Sequence, residues 1–150
     1  MKNKFFNFVL CVFGPLGVAF IVSQLFNTDS YKLLDKPPLA PPSILFPIIW
    51  SFLYLLMGIS LYIVLKENKN LKSFTKFIVQ FIINLIWPFL FFNIKLYNLS
   101  AVWILLIIYF TILMIINFYK IKKIAAYLQF PYIIWLLFAL YLNIGVAILN

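Results

Sequence analysis

The sequence predicts an all-α membrane protein, a bundle of five transmembrane helices, and three observations predict it. Hydrophobic residues make up 66% of the chain and the mean hydropathy is +1.09, against the roughly 45–50% apolar content of soluble domains. Apolar runs recur at about 5–26, 44–65, 73–92, 100–119 and 125–149, each near the ~20 residues that a helix needs to cross the hydrocarbon core. None of them alternates as a membrane strand would, and an unpaired backbone amide in hydrocarbon costs several kcal/mol, so the runs must be helices. These spans consume most of the 150 residues, and a single integral membrane domain over 1–150 is expected.

The first span follows Lys2 and Lys4, the pattern of a signal peptide. No small-residue cleavage site follows, and the apolar run continues to Phe26, so a retained helix is expected. Gly14-Pro15-Leu16-Gly17 is a place where this helix can kink or approach a neighbour closely. Cys11 cannot pair within the chain, and nothing near it in sequence would stabilise a thiolate.

The long connection, 27–43, holds Asp29 and Asp35 and the run Lys36-Pro37-Pro38-Leu39-Ala40-Pro41-Pro42. Its prolines fix their own φ angles and restrict the residues before them, which makes the loop stiff. It is the candidate lid, with Lys36, Pro37, Pro38, Pro41 and Pro42 as its residues; a plain spacer is the competing reading.

The second, third and fifth spans carry stripes at helical spacing. Trp50, Tyr54 and Met57 share one face of the second; Gln80, Asn84, Trp87 and Phe91 share one of the third, with Pro88 breaking the ladder. On the fifth, Trp135, Ala139 and Asn143 align, one turn after Pro131 and Tyr132. These faces suit a pocket for a flat hydrophobic ligand. Ordinary bundle packing, with amides bonding across helices, is the alternative for each stripe. On the fourth span, Tyr97 and Trp103 read as interfacial belt residues.

Charge sets topology and excludes functions. All twelve basic residues are lysines, giving a net charge of +9. Assigned to alternating sides, Lys2, Lys4, Lys66, Lys69, Lys72, Lys76, Lys120, Lys122 and Lys123 face Lys32, Lys36 and Lys95. The positive-inside bias therefore predicts a cytoplasmic N-terminus, with the first loop and the C-terminus outside, in what is expected to be a bacterial cytoplasmic membrane. The cluster 66–72 also suits anionic lipid. Lysines scattered between apolar runs argue against nucleic acid as a partner. The chain has no histidine, so no metal site is expected and no imidazole can ligate haem iron. No carboxylate lies inside a span, which disfavours a proton relay, and nothing resembles an acid–base pair or an activated nucleophile.

YKLLDKPPLAPPSILFPIIWSFLY (31–54) resembles the loop and second helix of the tryptophan-rich sensory protein and translocator protein family (TspO/MBR, the peripheral benzodiazepine receptor family). QFIINLIWPFLFF (80–92) is similar to that family's third-helix signature, and PYIIWLLFALYLN (131–143) to its fifth. The resemblance implies a five-helix bundle, usually a homodimer, whose cavity takes porphyrins such as protoporphyrin IX and other hydrophobic aromatic ligands. The candidate ligand-binding set is Tyr31, Pro47, Trp50, Tyr54, Gln80, Asn84, Trp87, Phe91, Trp135, Phe138, Ala139 and Asn143. Two features depart from the family: Leu39 stands where a loop tryptophan is common, and the animal cholesterol-recognition pattern is unmatched.

The expected function is a membrane receptor, sensor or transporter for porphyrin-like molecules, with the porphyrin as ligand and no cofactor required. Its propionates would meet Lys32, Lys36 or loop amides. One alternative is light- and oxygen-dependent porphyrin degradation, in which Trp50 and Trp135 are the redox-active, catalytic pair. Another is a membrane scaffold without a ligand.

Overall fold

The computed structural model describes residues 2–68 and 71–150, so Lys69 of the topology count lies outside the described residues. The helices are α1 (Lys2–Ser23), α2 (Leu45–Glu67), α3 (Leu71–Pro88), α4 (Tyr97–Ile121), α5 (Lys123–Tyr127) and α6 (Phe130–Leu149). Five stretches are long and apolar enough to cross a membrane, and the short α5 belongs to the fifth of them. The protein is an integral membrane bundle, all-helical among the described residues.

Two spans depart from regular helix where prolines dictate it. Pro88 has no N–H and its ring crowds the carbonyl of Asn84, so after it α3 widens into a π-helical turn, Phe89–Asn93. The fifth span, expected to be continuous, breaks at Leu128 and Gln129, because Pro131 in the first turn of α6 cannot donate back to Tyr127. Pro15, by contrast, sits within an unbroken α1.

The close approach of α1 occurs at Gly58 of α2, not at Gly14 or Gly17. A Cβ on Gly58 would collide with the backbone of Cys11 and Val12, whereas a Cβ on Gly14 or Gly17 would meet nothing within 4 Å. From that crossing, α1 packs along α2, α3 along α4, and α4 along α6. The core they share holds Met57, Val64, Met114 and Phe118, all fully buried.

The two ends of the bundle differ in chemistry. At one, Ser60 donates to the Ala125 carbonyl (2.6 Å) and Lys122 pairs with Glu67 (3.2 Å), fastening α2 to the α4–α5 corner. At the other, the first loop meets the α3–α4 turn and the C-terminus through two amide clips. Asn93 donates to Leu25 O (3.1 Å) and accepts from Asn27 N (3.3 Å). Asn150 donates to Asp35 O (2.8 Å) and accepts from Asp35 N (3.2 Å).

Candidate functional site: an aromatic cavity under the first loop

At the end that carries the first loop, α1, α2, α3 and α6 diverge around a cavity of about 1030 Å³. Aromatic packing builds its walls. On α2, Trp50 stacks on Tyr54 with centroids 5.5 Å apart and the planes 29° from parallel. On α3, Trp87 stacks on Phe91 at 5.1 Å, and Phe91 meets Tyr97 edge-on at 5.2 Å. The indole of Trp87 is fixed by donating to Asn143 Oδ1 of α6 (2.9 Å), whose own amide donates to Tyr97 O (2.8 Å).

A buried polar chain runs down from the floor, which Tyr54 and Asn84 form. Tyr54 donates to Asn84 Oδ1 (2.9 Å), Asn84 donates to the Tyr132 hydroxyl (2.5 Å), and Tyr132 donates to Gln80 Oε1 (3.2 Å). The amides on α3 thus find phenols on α2 and α6, which satisfies polar groups that hydrocarbon cannot solvate.

Of the candidate ligand residues, Tyr31, Pro47, Trp50, Tyr54, Asn84, Trp87, Phe91, Ala139 and Asn143 line this one cavity. Gln80, Trp135 and Phe138 do not. Gln80 is fully buried beneath the floor, bracing Tyr132. Trp135 lies one ring behind the wall, edge-on to the lining residue Phe46 at 5.9 Å and tilted against Phe138 at 5.5 Å. Trp50 and Trp135 therefore do not share the cavity surface.

The loop divides its work between its two halves. A 3₁₀ turn, Thr28–Leu33, supplies Thr28, Asp29, Tyr31 and Lys32 to the cavity lining. Tyr31 is buried against Phe46 (5.2 Å), its hydroxyl donates to Pro41 O (3.4 Å), and Lys36 Nζ lies 4.8 Å over its ring. Burial pushes the Tyr31 phenol up from its ordinary pKa. Lys32 pairs with Asp29 at 3.3 Å.

None of the lid residues Lys36, Pro37, Pro38, Pro41 and Pro42 lines the cavity. Pro37 packs onto Gly145, where a Cβ would collide with its ring, and Pro38 O accepts from Tyr141 (2.7 Å). The prolines strap the loop to α6 and so hold the 3₁₀ turn over the opening.

Sequence reasoning gave α1 no part in the pocket, yet Phe13, Leu16 and Phe20 line it. α1 is apolar all round, so no stripe marks its inner face. Tyr132 was passed over too, although a phenol in mid-span needs a partner and the α3 amides were waiting for one. Trp103, read as a belt residue, donates to Ile83 O (2.8 Å) and ties α4 to α3.

The fold and the cavity together define a class: a five-span helical membrane protein with an aromatic chamber under a strapped loop at one end. The TspO/MBR family profile matches residues 8–149, and the chain belongs to that family. It is 32% identical over 157 aligned positions to the tryptophan-rich protein TspO of Chlorobaculum tepidum, covering 100% of this chain and 99% of that one. It is also 36% identical to the tryptophan-rich protein TspO of Archaeoglobus fulgidus, covering 95% of each chain. To the translocator protein of Ovis aries it is 33% identical, over 87% of this chain and 79% of that one.

Proposed function

We propose that this protein binds porphyrins of the protoporphyrin IX type, and other flat hydrophobic aromatic molecules, in the cavity under its first loop, as a membrane receptor, sensor or transporter. The observation that carries the reading is the space itself. About 1030 Å³ is left open between Trp50, Tyr54, Trp87 and Phe91, at the upper end of the range for ligand pockets. A bundle whose aromatics only filled volume would close it, since interiors pack with few voids larger than a water molecule. Indole and phenol faces supply stacking area for a macrocycle, Asn84 and Asn143 supply polar contacts, and Lys32 stands at the mouth for a carboxylate. The porphyrin is a ligand that comes and goes, and the functional unit is a homodimer in the membrane.

Binding is favoured over photo-oxidative breakdown because only Trp50 of the tryptophan pair faces the cavity, with Phe46 between Trp135 and the space. The test is quenching of tryptophan fluorescence in detergent on titration with protoporphyrin IX. Saturable quenching that weakens at least about tenfold in Trp50→Ala/Trp87→Ala supports the reading, being the loss of two stacking contacts of roughly 1 kcal/mol each. Quenching that never saturates, or that is unchanged in the variant, refutes it. Illumination of the complex separates the two readings: macrocycle bleaching that depends on Trp50 and Trp135 would mark breakdown.

A further inference from the structure

A second groove runs along the opposite flank of α1, between it and α3, with a volume of about 970 Å³ and no lining residue in common with the aromatic cavity. It exists because α1 is held to α2 at Gly58 and leaves α3 largely uncovered. Leu10 and Val18 form one wall, and Phe74, Ile78 and Phe81 form the other. Lys4 and Lys66 stand at one end of it, both exposed.

From this groove we infer a binding site for one anionic phospholipid, its phosphate between Lys4 and Lys66 and an acyl chain laid along the apolar trough. Length fits the occupant. From Lys4 to Val18 α1 rises about 21 Å, longer than the ~15 Å of one hydrocarbon leaflet, so a chain lies in the groove from headgroup to tail. Charge fits it too. Asp29 and Asp35 are at the other end of the bundle, and Glu67 is paired with Lys122, so among the described residues no carboxylate forms an ion pair with either lysine. A lysine's long stem can lie on apolar surface while its ammonium group reaches the headgroup level. A lysine near such a surface favours an anionic lipid by a factor of about five.

The experiment is native mass spectrometry of the full-length protein in detergent, titrated with phosphatidylglycerol and, in parallel, with phosphatidylcholine of the same acyl chains. No porphyrin is needed, so the result stands apart from the reading of the aromatic cavity. The expected result is one tightly retained phosphatidylglycerol, with phosphatidylcholine at least about tenfold weaker. Lys4→Gln and Lys66→Gln each lower retention about fivefold, and Gly14→Phe, which fills the trough where a Cβ meets nothing within 4 Å, abolishes it. The lysine variants change only exposed side chains, and a thermal melt verifies that all three remain folded. Equal retention of the two lipids, or a preference that survives the lysine pair, overturns the proposal. So does a dimer that Gly14→Phe splits while lipid retention is unchanged, which would make the groove the seat of a second copy.

Discussion

At the residue scale, function and stability separate along the Tyr54–Asn84–Tyr132–Gln80 chain. Asn84 both lines the cavity and centres the network, whereas Tyr132 is buried, has its hydroxyl in the network, and meets the cavity wall only through its ring, edge-on to Trp50 at 6.2 Å. Tyr132→Phe should destabilise the bundle by roughly 1 kcal/mol, the measured scale for polar contacts between membrane helices, with porphyrin affinity within about twofold of the parent. Reversible unfolding in mixed detergent micelles, beside the quenching titration, checks both numbers; a large loss of affinity would mean that the hydroxyl reaches the ligand. Backbone strain lies at Leu39, whose φ of 69° places it third in a turn closed by Ala40 N to Pro37 O (3.3 Å). That position favours glycine, and Leu39 is exposed. Leu39→Gly should therefore raise the melting temperature, by an amount equivalent to about 0.5–1 kcal/mol. A lower melting temperature would mean that the exposed leucine is holding the loop.

Helices and loops are where the sequence was most and least informative. The five spans were legible because bilayer thickness sets their length, and the described helices agree with the expected bounds to within a few residues. The break before Phe130 was not, although Pro131 was in view: a proline marks a helix end or a kink without saying which. Nor did the sequence say which glycine admits a neighbour, since that depends on where two helices cross. The structure puts the crossing at Gly58, and Gly58→Ala should force α1 off α2 and cost about 1–3 kcal/mol, the usual price of overpacking. Cys11, half-buried at the same crossing, provides the readout, because its labelling by a maleimide should speed up in the variant. Gly145 does for the loop what Gly58 does for α1. Gly145→Ala should lift Pro37 from α6, increase trypsin cleavage after the exposed Lys32, and shorten porphyrin residence without altering a cavity side chain. Unchanged cleavage would show that the Asn93 and Asn150 clips hold the loop without the strap.

Across the whole molecule, polarity along the bundle axis was legible in the lysines, while the cavity was legible only in part. Stripes on single helices named residues on α2, α3 and α6, but the angle at which helices meet decides which members of a stripe reach the space. Trp50 and Trp135 were read as equivalents, yet Trp50 lines the cavity and Trp135 packs behind its lining residue Phe46. The axial asymmetry leads to the last prediction. Loop, α3–α4 turn and C-terminus gather at one end through the Asn93 and Asn150 clips. The end of α2 and the α4–α5 corner lie at the other, where Lys122 pairs with Glu67. An odd number of spans places the termini on opposite sides, and the lysine excess predicts that the richer end is cytoplasmic. Alkaline phosphatase fused after Asn150 in bacterial cells should then be active, and a fluorescent protein that matures only in the cytoplasm should be dark at the same site. Replacing the excess lysines with glutamine while adding lysines to the first loop should weaken or invert that pattern, because the bias acts through basic residues close to the span ends. An inactive phosphatase fusion beside a bright fluorescent one in the parent chain would reverse the orientation and turn the mouth of the aromatic cavity toward the cytoplasm.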